Sequence, residues 1–245
     1  GLAPNKFLAK IASDLDKPRG FSVIGQRDTA AFLRGKPVRM IWGVGGATQD
    51  RLDRAGIRTF DDLLRWDRAD LDAKFGAMGG RLYHLARGED QRRVNPNEAM
   101  KSISAETTFF EDTSDRDLLD GHLWRLAERV ADRAKAKDLA GRTVTLKLRR
   151  RDFSLLSRSH GMRDPTQMAD RLYREVAALL SSVPEKGPFR LIGVGLSDIV
   201  PDNLADLSGD LLDPMATKRA DAERAADKIR ARFGHEAIIK GRALR

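Results

Sequence analysis

The periodicity of the apolar residues changes near residue 100, and this change constrains the fold more than any other feature. Between residues 28 and 90, apolar residues recur at helical spacing in short segments that glycines interrupt. Between residues 101 and 200, alternating segments and two longer helical segments follow one another in the order β-α-β-β-α-β. The sequence therefore predicts an α+β chain, with a small all-helical unit followed by a four-stranded antiparallel sheet that carries two helices on one face.

The individual elements follow from the same spacing. The predicted helices cover residues 5–13, 29–33, 47–55, 60–66, 69–75, 80–87, 117–137, 167–180 and 218–233. The predicted strands cover residues 101–109, 143–151, 153–160 and 189–199. Between the two regions, residues 91–100 are mostly polar and include Pro96, which predicts a linker between domains.

Composition excludes several classes of protein. The 245 residues include no cysteine, which excludes disulfides, thiol catalysis and cysteine-ligated zinc. No apolar run approaches the roughly 20 residues of a membrane-spanning helix, so we expect no membrane partner and a cytoplasmic location. The 45 Lys and Arg residues exceed the 36 Asp and Glu residues by 9, which favours a polyanionic partner such as nucleic acid.

The most specific local motif is a glycine hairpin at residues 41–45, Ile-Trp-Gly-Val-Gly, which precedes a predicted helix. This pattern is typical of a helix-hairpin-helix element. Gly43 and Gly45 would let backbone N–H groups approach a ligand closely, and the following helix would add its positive N-terminal end. Such a site binds a DNA backbone phosphate without reading base sequence. A plain glycine turn between packed helices is the alternative.

A second candidate surface is one side of the predicted sheet. Side chains alternate across a strand, so Thr143, Thr145, Lys147, Arg149 and Arg151 should share the side away from the helices. Within residues 142–163 there are seven basic residues and one acid, 7 − 1 = +6 of the net +9. Ser102, Ser104 and Thr108 share one face of the first strand, and small Gly193 and Gly195 lie on the last. We expect a phosphate-binding surface with no exposed apolar stripe; a solvated polar face is the alternative.

Acidic and histidine residues show no pattern of a metal or catalytic site. The four histidines lack metal-ligand spacing, and no Ser-His-Asp arrangement or phosphate-loop motif occurs. The acid pairs 61–62 and 111–112 fall at predicted helix starts, where caps are favoured over metal ligands. We therefore expect no metal site and no catalytic residue in this chain.

Six short segments occur in a characteristic order: residues 5–20 (NKFLAKIASDLDKPRG), 41–45 (IWGVG), 86–90 (ARGED), 101–104 (KSIS), 143–149 (TVTLKLR) and 192–194 (IGV). In this order they resemble the segments of the Y-family translesion DNA polymerases of the DinB type. The resemblance implies a C-terminal part of such an enzyme, lacking most of the palm and fingers. Residues 1–25 would be the end of the catalytic palm, 26–90 the thumb, 91–100 a linker, 101–200 the little finger and 201–245 a C-terminal extension.

The resemblance also implies roles for particular residues. Lys17 matches the palm lysine that contacts the triphosphate of the incoming dNTP, and Gly43, Val44 and Gly45 match the thumb hairpin that holds a DNA phosphate. The remaining implied DNA contacts lie in the little finger: Lys101, Ser102, Ser104, Thr108, Lys147, Arg149, Arg151, Arg158 and Arg190.

Two departures from the family pattern affect the site. Trp42 replaces the usual proline before the hairpin glycine, and we expect it to pack on the thumb rather than stack near DNA. Leu211 and Leu212 end a loose match to a sliding-clamp motif that lacks its glutamine. They are therefore a weak candidate for clamp binding, with an ordinary apolar anchor as the alternative.

Family chemistry is two-metal phosphoryl transfer, in which carboxylates hold Mg²⁺ at the reacting phosphates. The family's carboxylates lie in the palm, and no equivalent motif occurs in residues 1–245. The resemblance thus implies that the full-length protein is a DNA-directed DNA polymerase acting on damaged templates with primer–template DNA. The present chain is expected to bind DNA without extending a primer. A catalytically dead adaptor that binds DNA and a clamp is the main alternative; a helix-hairpin-helix glycosylase or nuclease fits less well.

Overall fold

A computed structural model describes residues 1–184, 187–206 and 215–241. The chain divides into two compact units, Gly1–Glu98 and Ala99–Arg245. Among the helices of the described residues, none combines the length and apolar character needed to cross a bilayer.

The first unit consists of short helices around one apolar core. They are α1 (Lys6–Leu15), α2 (Thr29–Leu33), α3 (Gly46–Arg54), α4 (Phe60–Leu64), α5 (Arg68–Phe75) and α6 (Ala77–Ala86), with a 3₁₀ turn at Val38–Met40. Phe7, Leu8 and Ile11 of α1 pack into the same core as Leu52 and Phe60. No described helix here exceeds 10 residues, so burial of these apolar side chains, more than intrinsic helix propensity, stabilises the unit.

Two further glycines of this unit, Gly79 and Gly88, serve packing. A Cβ at Gly79 of α6 would lie 2.1 Å from the carbonyl oxygen of Leu71 in α5, closer than any real contact. A side chain at Gly88, where φ is +74°, would collide with Thr29 at 2.2 Å. Gly79 thus lets the backbones of α5 and α6 meet closely, and Gly88 leaves room for the side chain of Thr29.

The second unit is an antiparallel sheet with helices on one side. Its elements are β1 (Ser102–Thr113), α7 (Arg116–Lys135), β2 (Leu139–Arg150), β3 (Leu155–Thr166), α8 (Ala169–Ser181), β4 (Phe189–Pro201) and α9 (Ala216–Phe233). The strand order is β1-β4-β2-β3, and all pairs are antiparallel. The predicted fold class, a helical unit followed by a β-α-β-β-α-β sheet unit, is confirmed.

The core of the second unit lies between the sheet and helices α7 and α8. Alternate residues of β2, Val144, Leu146 and Leu148, are fully buried against these helices. The opposite side of the sheet carries no helix among the described residues. We call this opposite side the open face.

Helix α9 is attached to this unit by a buried carboxylate. Glu223 accepts hydrogen bonds from the backbone N–H groups of Ala169 (2.7 Å) and Asp170 (3.1 Å) at the start of α8, and from Lys135 Nζ (2.7 Å). Burial lowers the pKa of Lys135, but the carboxylates of Glu223 and Asp227 outweigh that effect and leave it raised. The lysine is therefore charged, and Glu223 joins the end of α7 to the start of α8.

One prediction about the acid pairs is correct and the other is wrong. Asp61 and Asp62 lie in the first turn of α4, where Asp62 and Thr59 form a capping box. Glu111 and Asp112 lie within β1 instead of at a helix start, because β1 continues to Thr113 and α7 begins only at Arg116. Asp115 is the residue that caps α7.

Candidate nucleic-acid interface

The glycine hairpin presents backbone amides to open space. Val44 N–H donates to the carbonyl of Ile41 (2.9 Å), and Gly43 has φ of +97°, a conformation that side chains rarely adopt. Helix α3 then begins with Gly45 as its N-cap, and no side-chain hydrogen bond caps it. A Cβ at Gly45 or Gly46 would meet nothing within 4 Å. The first-turn N–H groups of α3 therefore form an accessible, electropositive site suited to an anion.

Arg81 of α6 lies beside this hairpin, a position that no sequence motif indicated. Its Nη2 donates to the carbonyl oxygen of Trp42 (3.0 Å), and its Nη1 lies 3.5 Å from the point where a Cβ of Gly43 would stand. A guanidinium thus both fixes the hairpin backbone and adds a positive charge next to the exposed amides.

The prediction that Trp42 packs on the helical unit is wrong. The side chain of Trp42 is 63 % exposed, whereas its neighbour Ile41 is 1 % exposed and belongs to the core. The alternation follows from the turn: Ile41 points into the core, and the next residue is carried outward just before the positive-φ glycine at 43.

Two of the family-like segments contact each other. Asp90 Oδ2 accepts from the N–H of Phe7 (3.1 Å), and Asn5 Nδ2 donates to the carbonyl of Gly88 (2.7 Å). Asp90 also accepts from Arg92, whose hydrogen bonds lower the pKa of the Asp90 carboxyl against the opposing effect of burial. Residues 86–90 therefore hold the N-terminus of α1 in place, 83 residues away in sequence.

Lys17, the predicted triphosphate-binding residue, is exposed and pairs with an acid. Its Nζ lies 2.5 Å from Asp14, which also pairs with Lys10 at 2.6 Å. Hydrogen bonds from Lys10 and Lys17 lower the pKa of Asp14 to about 2. Lys10 and Lys17 are thus held next to each other at the end of α1, with one carboxylate between them.

The register of the strands aligns the open face in four rows. The rows run β1, β4, β2, β3: Ser102–Ser197–Thr143–Gly161, Ser104–Gly195–Thr145–Ser159, Glu106–Gly193–Lys147–Ser157 and Thr108–Leu191–Arg149–Leu155. Residues opposite each other in a sheet share a face. The predicted set Ser102, Ser104, Thr108, Lys147 and Arg149 therefore shares one surface.

The third row contains an acid that sequence reasoning missed. Lys147 Nζ and Glu106 Oε2 are 2.6 Å apart, although Gly193 of β4 lies between their strands. A Cβ at Gly193 would stand 3.0 Å from that of Glu106. Because Gly193 has no side chain, there is room for the ion pair across β4. The alternation of side chains along β2 alone could not predict this pair, because Glu106 belongs to another strand.

The fourth row is partly apolar, which contradicts the expectation of no exposed apolar stripe. Leu155 is more than half exposed, and Phe110, two residues after Thr108 on β1, is fully exposed. Arg149 lies in this row, and its Nε is buried without a hydrogen-bond acceptor among the described residues. The open face thus has a hydroxyl-rich end and an end where a guanidinium stands among apolar groups.

The other predicted DNA contacts lie in different places. Arg151 lies in the turn after β2, and Lys101 directly precedes β1. Arg190 lies 3.8 Å from Asp112 and 4.8 Å from the ring of Phe153. Arg158 pairs with Leu146 in the register, so it lies on the helix side of β3, opposite to Lys147 and Arg149.

The described residues do not fit a catalytic metal. Within residues 1–184, 187–206 and 215–241, no group of three or more His, Cys, Asp or Glu residues could hold an ion. The weak clamp candidates Leu211 and Leu212 lie outside the described residues.

Two family models match this chain. The model described as "impB/mucB/samB family C-terminal domain" matches residues 100–209, and the one described as "DNA polymerase-iota, thumb domain" matches residues 39–90. The second match contains the hairpin, and the first contains all four strands.

Similar proteins come from several bacteria. "DNA polymerase IV 1" of Mesorhizobium japonicum and "DNA polymerase IV" of Brucella melitensis are each 49 % identical over 98 % of this chain, covering 55 % and 54 % of their own lengths. "DNA polymerase IV" of Caulobacter vibrioides is 46 % identical over 100 % of the chain and 60 % of its own length. The chain thus spans little more than half the length of these curated relatives.

A solved structure with a similar fold is the "Y-family DNA polymerase chimera Dbh-Dpo4(243-245)-Dbh". It superposes with a TM-score of 0.60 at 26 % identity, covering 81 % of this chain and 58 % of that one.

Proposed function

The chain belongs to the Y-family DNA polymerases, in the DinB type that includes DNA polymerase IV, and we propose that it forms the DNA-binding part of such an enzyme. In this proposal the longer protein is a DNA-directed DNA polymerase that copies damaged templates in the cytoplasm. Residues 1–25 belong to the palm, 26–90 to the thumb, 91–100 to a linker, 101–200 to the little finger and 201–245 to an extension. No observation favours the alternative of a catalytically dead adaptor.

The observation that carries the proposal is the start of helix α3 directly after the glycine hairpin, where no side chain caps the helix. Gly43, Val44 and Gly45 precede a helix of nine residues whose first N–H groups have no side-chain cap. A DNA phosphate supplies the oxygen acceptors and the negative charge that this site lacks. Arg81 next to the hairpin strengthens the attraction without adding any group that reads a base.

The open face supports the same function by a different route. It offers hydroxyls of Ser102, Ser104 and Thr108 together with the cations of Lys147 and Arg149. Such groups bind the sugar–phosphate backbone of DNA and do not select a sequence. We extend the proposed surface to Lys101, Arg151 and Arg190 at the ends of the strands. Arg158, on the helix side of the edge strand β3, is proposed as a separate DNA contact outside the open face.

Catalysis by the longer protein requires groups beyond those described. Mg²⁺ would supply charge stabilisation at the transferred phosphoryl group of a dNTP, but the described residues do not form a site for it. What this chain contributes is the placement of DNA and, through Lys17, a cation for the dNTP triphosphate. A sliding clamp is proposed as a further partner on the sequence of residues 208–212 alone.

Fluorescence anisotropy of a labelled primer–template duplex tests the DNA-binding proposal. With about five cations at phosphates, log Kd should change with log salt with a slope of magnitude roughly 4 to 5. The triple variant Lys147→Ala, Arg149→Ala, Arg151→Ala should lower that magnitude by about 2 to 3. A matched triple variant, Arg129→Ala, Lys218→Ala, Lys228→Ala, removes the same charge from exposed positions of α7 and α9 and should leave the slope nearly unchanged.

Equal slopes for the two triple variants would contradict the open face as a DNA surface. A separate assay with Mg²⁺, dNTPs and primer–template DNA should show no primer extension by this chain. Template-dependent extension would contradict the assignment of catalysis to residues elsewhere.

A further inference from the structure

We propose that the cleft in front of Trp42 receives one nucleotide of the DNA strand whose phosphate the hairpin binds, with its sugar or base against the indole. The inference rests on the proposed DNA-binding function. It adds a contact that the phosphate site alone does not provide, because an aromatic platform binds the apolar part of a nucleotide.

The exposed side chain of Trp42 is available to contact a ligand. At 63 % exposure, the largest apolar side chain of this region faces solvent at the hairpin, while the chain buries Ile41 directly before it. The backbone of Trp42 is fixed by the core contact of Ile41, by the turn at Gly43 and by the Arg81 hydrogen bond to the Trp42 carbonyl (3.0 Å). An exposed indole on a fixed backbone is preorganised to stack, since little order has to be created on binding.

The cleft beside Trp42 has the size and lining of a small-ligand site. Its volume is about 300 Å³, and Ile11 and Leu15 of α1 form an apolar wall together with Met40 and Trp42. Apolar walls with a few charged groups at the rim are typical of sites that bind one small organic unit.

The charges around the cleft favour a polyanion. Lys10, Asp14 and Arg39 line it, Lys17 pairs with Asp14, and Arg81 contacts the carbonyl of Trp42. Of these, two cations and one carboxylate line the cleft, 2 − 1 = +1, and Lys17 and Arg81 add two further cations next to the lining residues. Asp14 is engaged by two lysines, and Arg39 has no ion-pair partner within the described ranges of the chain. An apolar wall inside a positive rim matches a nucleotide, whose apolar rings are joined to phosphates.

The hairpin makes DNA the best-matched ligand. Trp42 is adjacent in sequence to Gly43, so the indole and the exposed amides of α3 belong to one short turn. A strand with one phosphate at these amides brings its neighbouring sugar or base to the same turn. An acidic peptide shares the charge, but it does not join a ring to every anionic group as a DNA strand does.

Tryptophan emission provides a direct test with the whole chain. Addition of primer–template DNA at low salt should quench part of the emission, and Trp42→Phe should abolish that quenching. Trp66→Phe is the matched control, because Trp66 lies in the same unit and should leave the quenching intact. Trp124 is 3 % exposed in the other unit and should contribute a constant background.

Affinity gives a second readout. Trp42→Ala should weaken DNA binding by roughly 5- to 100-fold without changing the salt slope, because stacking neutralises no phosphate. Trp42→Phe should retain most of the affinity, and Arg39→Ala should lower the magnitude of the slope by about one. Because Trp42 is exposed, its substitutions should leave thermal unfolding unchanged.

Three outcomes would overturn the inference. One is DNA binding, seen by anisotropy, with unchanged Trp42 emission and full affinity of Trp42→Ala. Another is quenching of Trp42 by polyglutamate but not by DNA, which assigns the cleft to an acidic protein. The third is absence of DNA binding by the unaltered chain, which would contradict the proposed function itself, whereas the first two leave it standing.

Discussion

The hairpin of the helical unit and the open face of the sheet unit are two proposed anion-binding surfaces of opposite construction. At the hairpin, the donors are backbone N–H groups around Gly45 and Gly46. These glycines matter because they have no side chains that would occupy the space next to the N–H groups. On the open face, the donors are side chains, and their position depends on the pairing of four strands.

The two surfaces also differ in whether their hydrogen-bond donors and cations already have partners within the protein. Backbone amides have no competing partner in the helix start, so the hairpin site is free for a ligand. Lys147 already has Glu106 as a partner, and Arg190 has Asp112. A count of positive residues therefore overestimates what the sheet can offer to a phosphate, whereas it misses the hairpin entirely.

The largest expected effect comes from placing a charge at the hairpin. Gly45→Asp should fit the fold, because a Cβ there meets nothing within 4 Å, and the carboxylate can cap α3. Unfolding free energy should rise by about 0.5–1 kcal/mol. DNA affinity should fall about 100-fold, since the carboxylate repels the phosphate at close range. Thermal unfolding and anisotropy measure the two effects.

Gly45→Asn is the matched control for this change. It offers the same capping oxygen without the charge, so it should stabilise α3 while costing much less DNA affinity. Equal losses of affinity in the two variants would mean that space, and not charge, limits the hairpin site. Unchanged affinity in both would remove the hairpin from the DNA surface.

A smaller effect concerns the stability of helix α1, whose first turn is held by Asp90. Asp90→Ala leaves the N–H of Phe7 and the guanidinium of Arg92 without their acceptor, and should destabilise α1 by about 2 kcal/mol. The pKa of Asp90 is lowered in the fold, so its contribution is present above the unfolded pKa and is lost as pH falls through the folded value. Amide hydrogen exchange should become faster in α1 and stay unchanged in α7, whose unit lacks this contact. Equal acceleration in both helices would contradict the local role.

The smallest expected effect lies on the open face. Glu106→Gln removes the partner of Lys147 and should strengthen DNA binding about threefold, because an exposed ion pair contributes little to stability but competes with phosphate. The salt slope should become steeper by up to about one. Gln keeps the side-chain size and leaves the fold unchanged; weaker binding by this variant would mean that Glu106 positions Lys147 for DNA.

Local spacing was enough to predict most of the elements. The helices at Thr29–Leu33 and Arg68–Phe75 and the order of strands and helices follow from runs of apolar residues that each segment carries within itself. The extension of β1 through Glu111 and Asp112 did not follow, because short acidic segments fit both a helix start and an exposed strand.

Placement of the site residues could be predicted only in part. The alternation of β2 correctly put Lys147 and Arg149 on one side, since the period of a strand is a local property. It could not show that Arg158 lies on the other side, because that depends on which residue of β2 it faces across the hairpin. No local sequence pattern indicated that Arg81 belongs to the hairpin site, because its hydrogen bond to Trp42 joins positions 39 residues apart.

The periodicities, the glycine hairpin and the excess of positive charge can be read from the residues alone, because each is a property of neighbouring positions or of simple composition. The folded chain was needed to show that Glu106 meets Lys147 across Gly193, that Asp90 holds the start of α1 and that Trp42 remains exposed. The physical reason is that register and close packing depend on the joint burial of distant segments, which no single segment specifies.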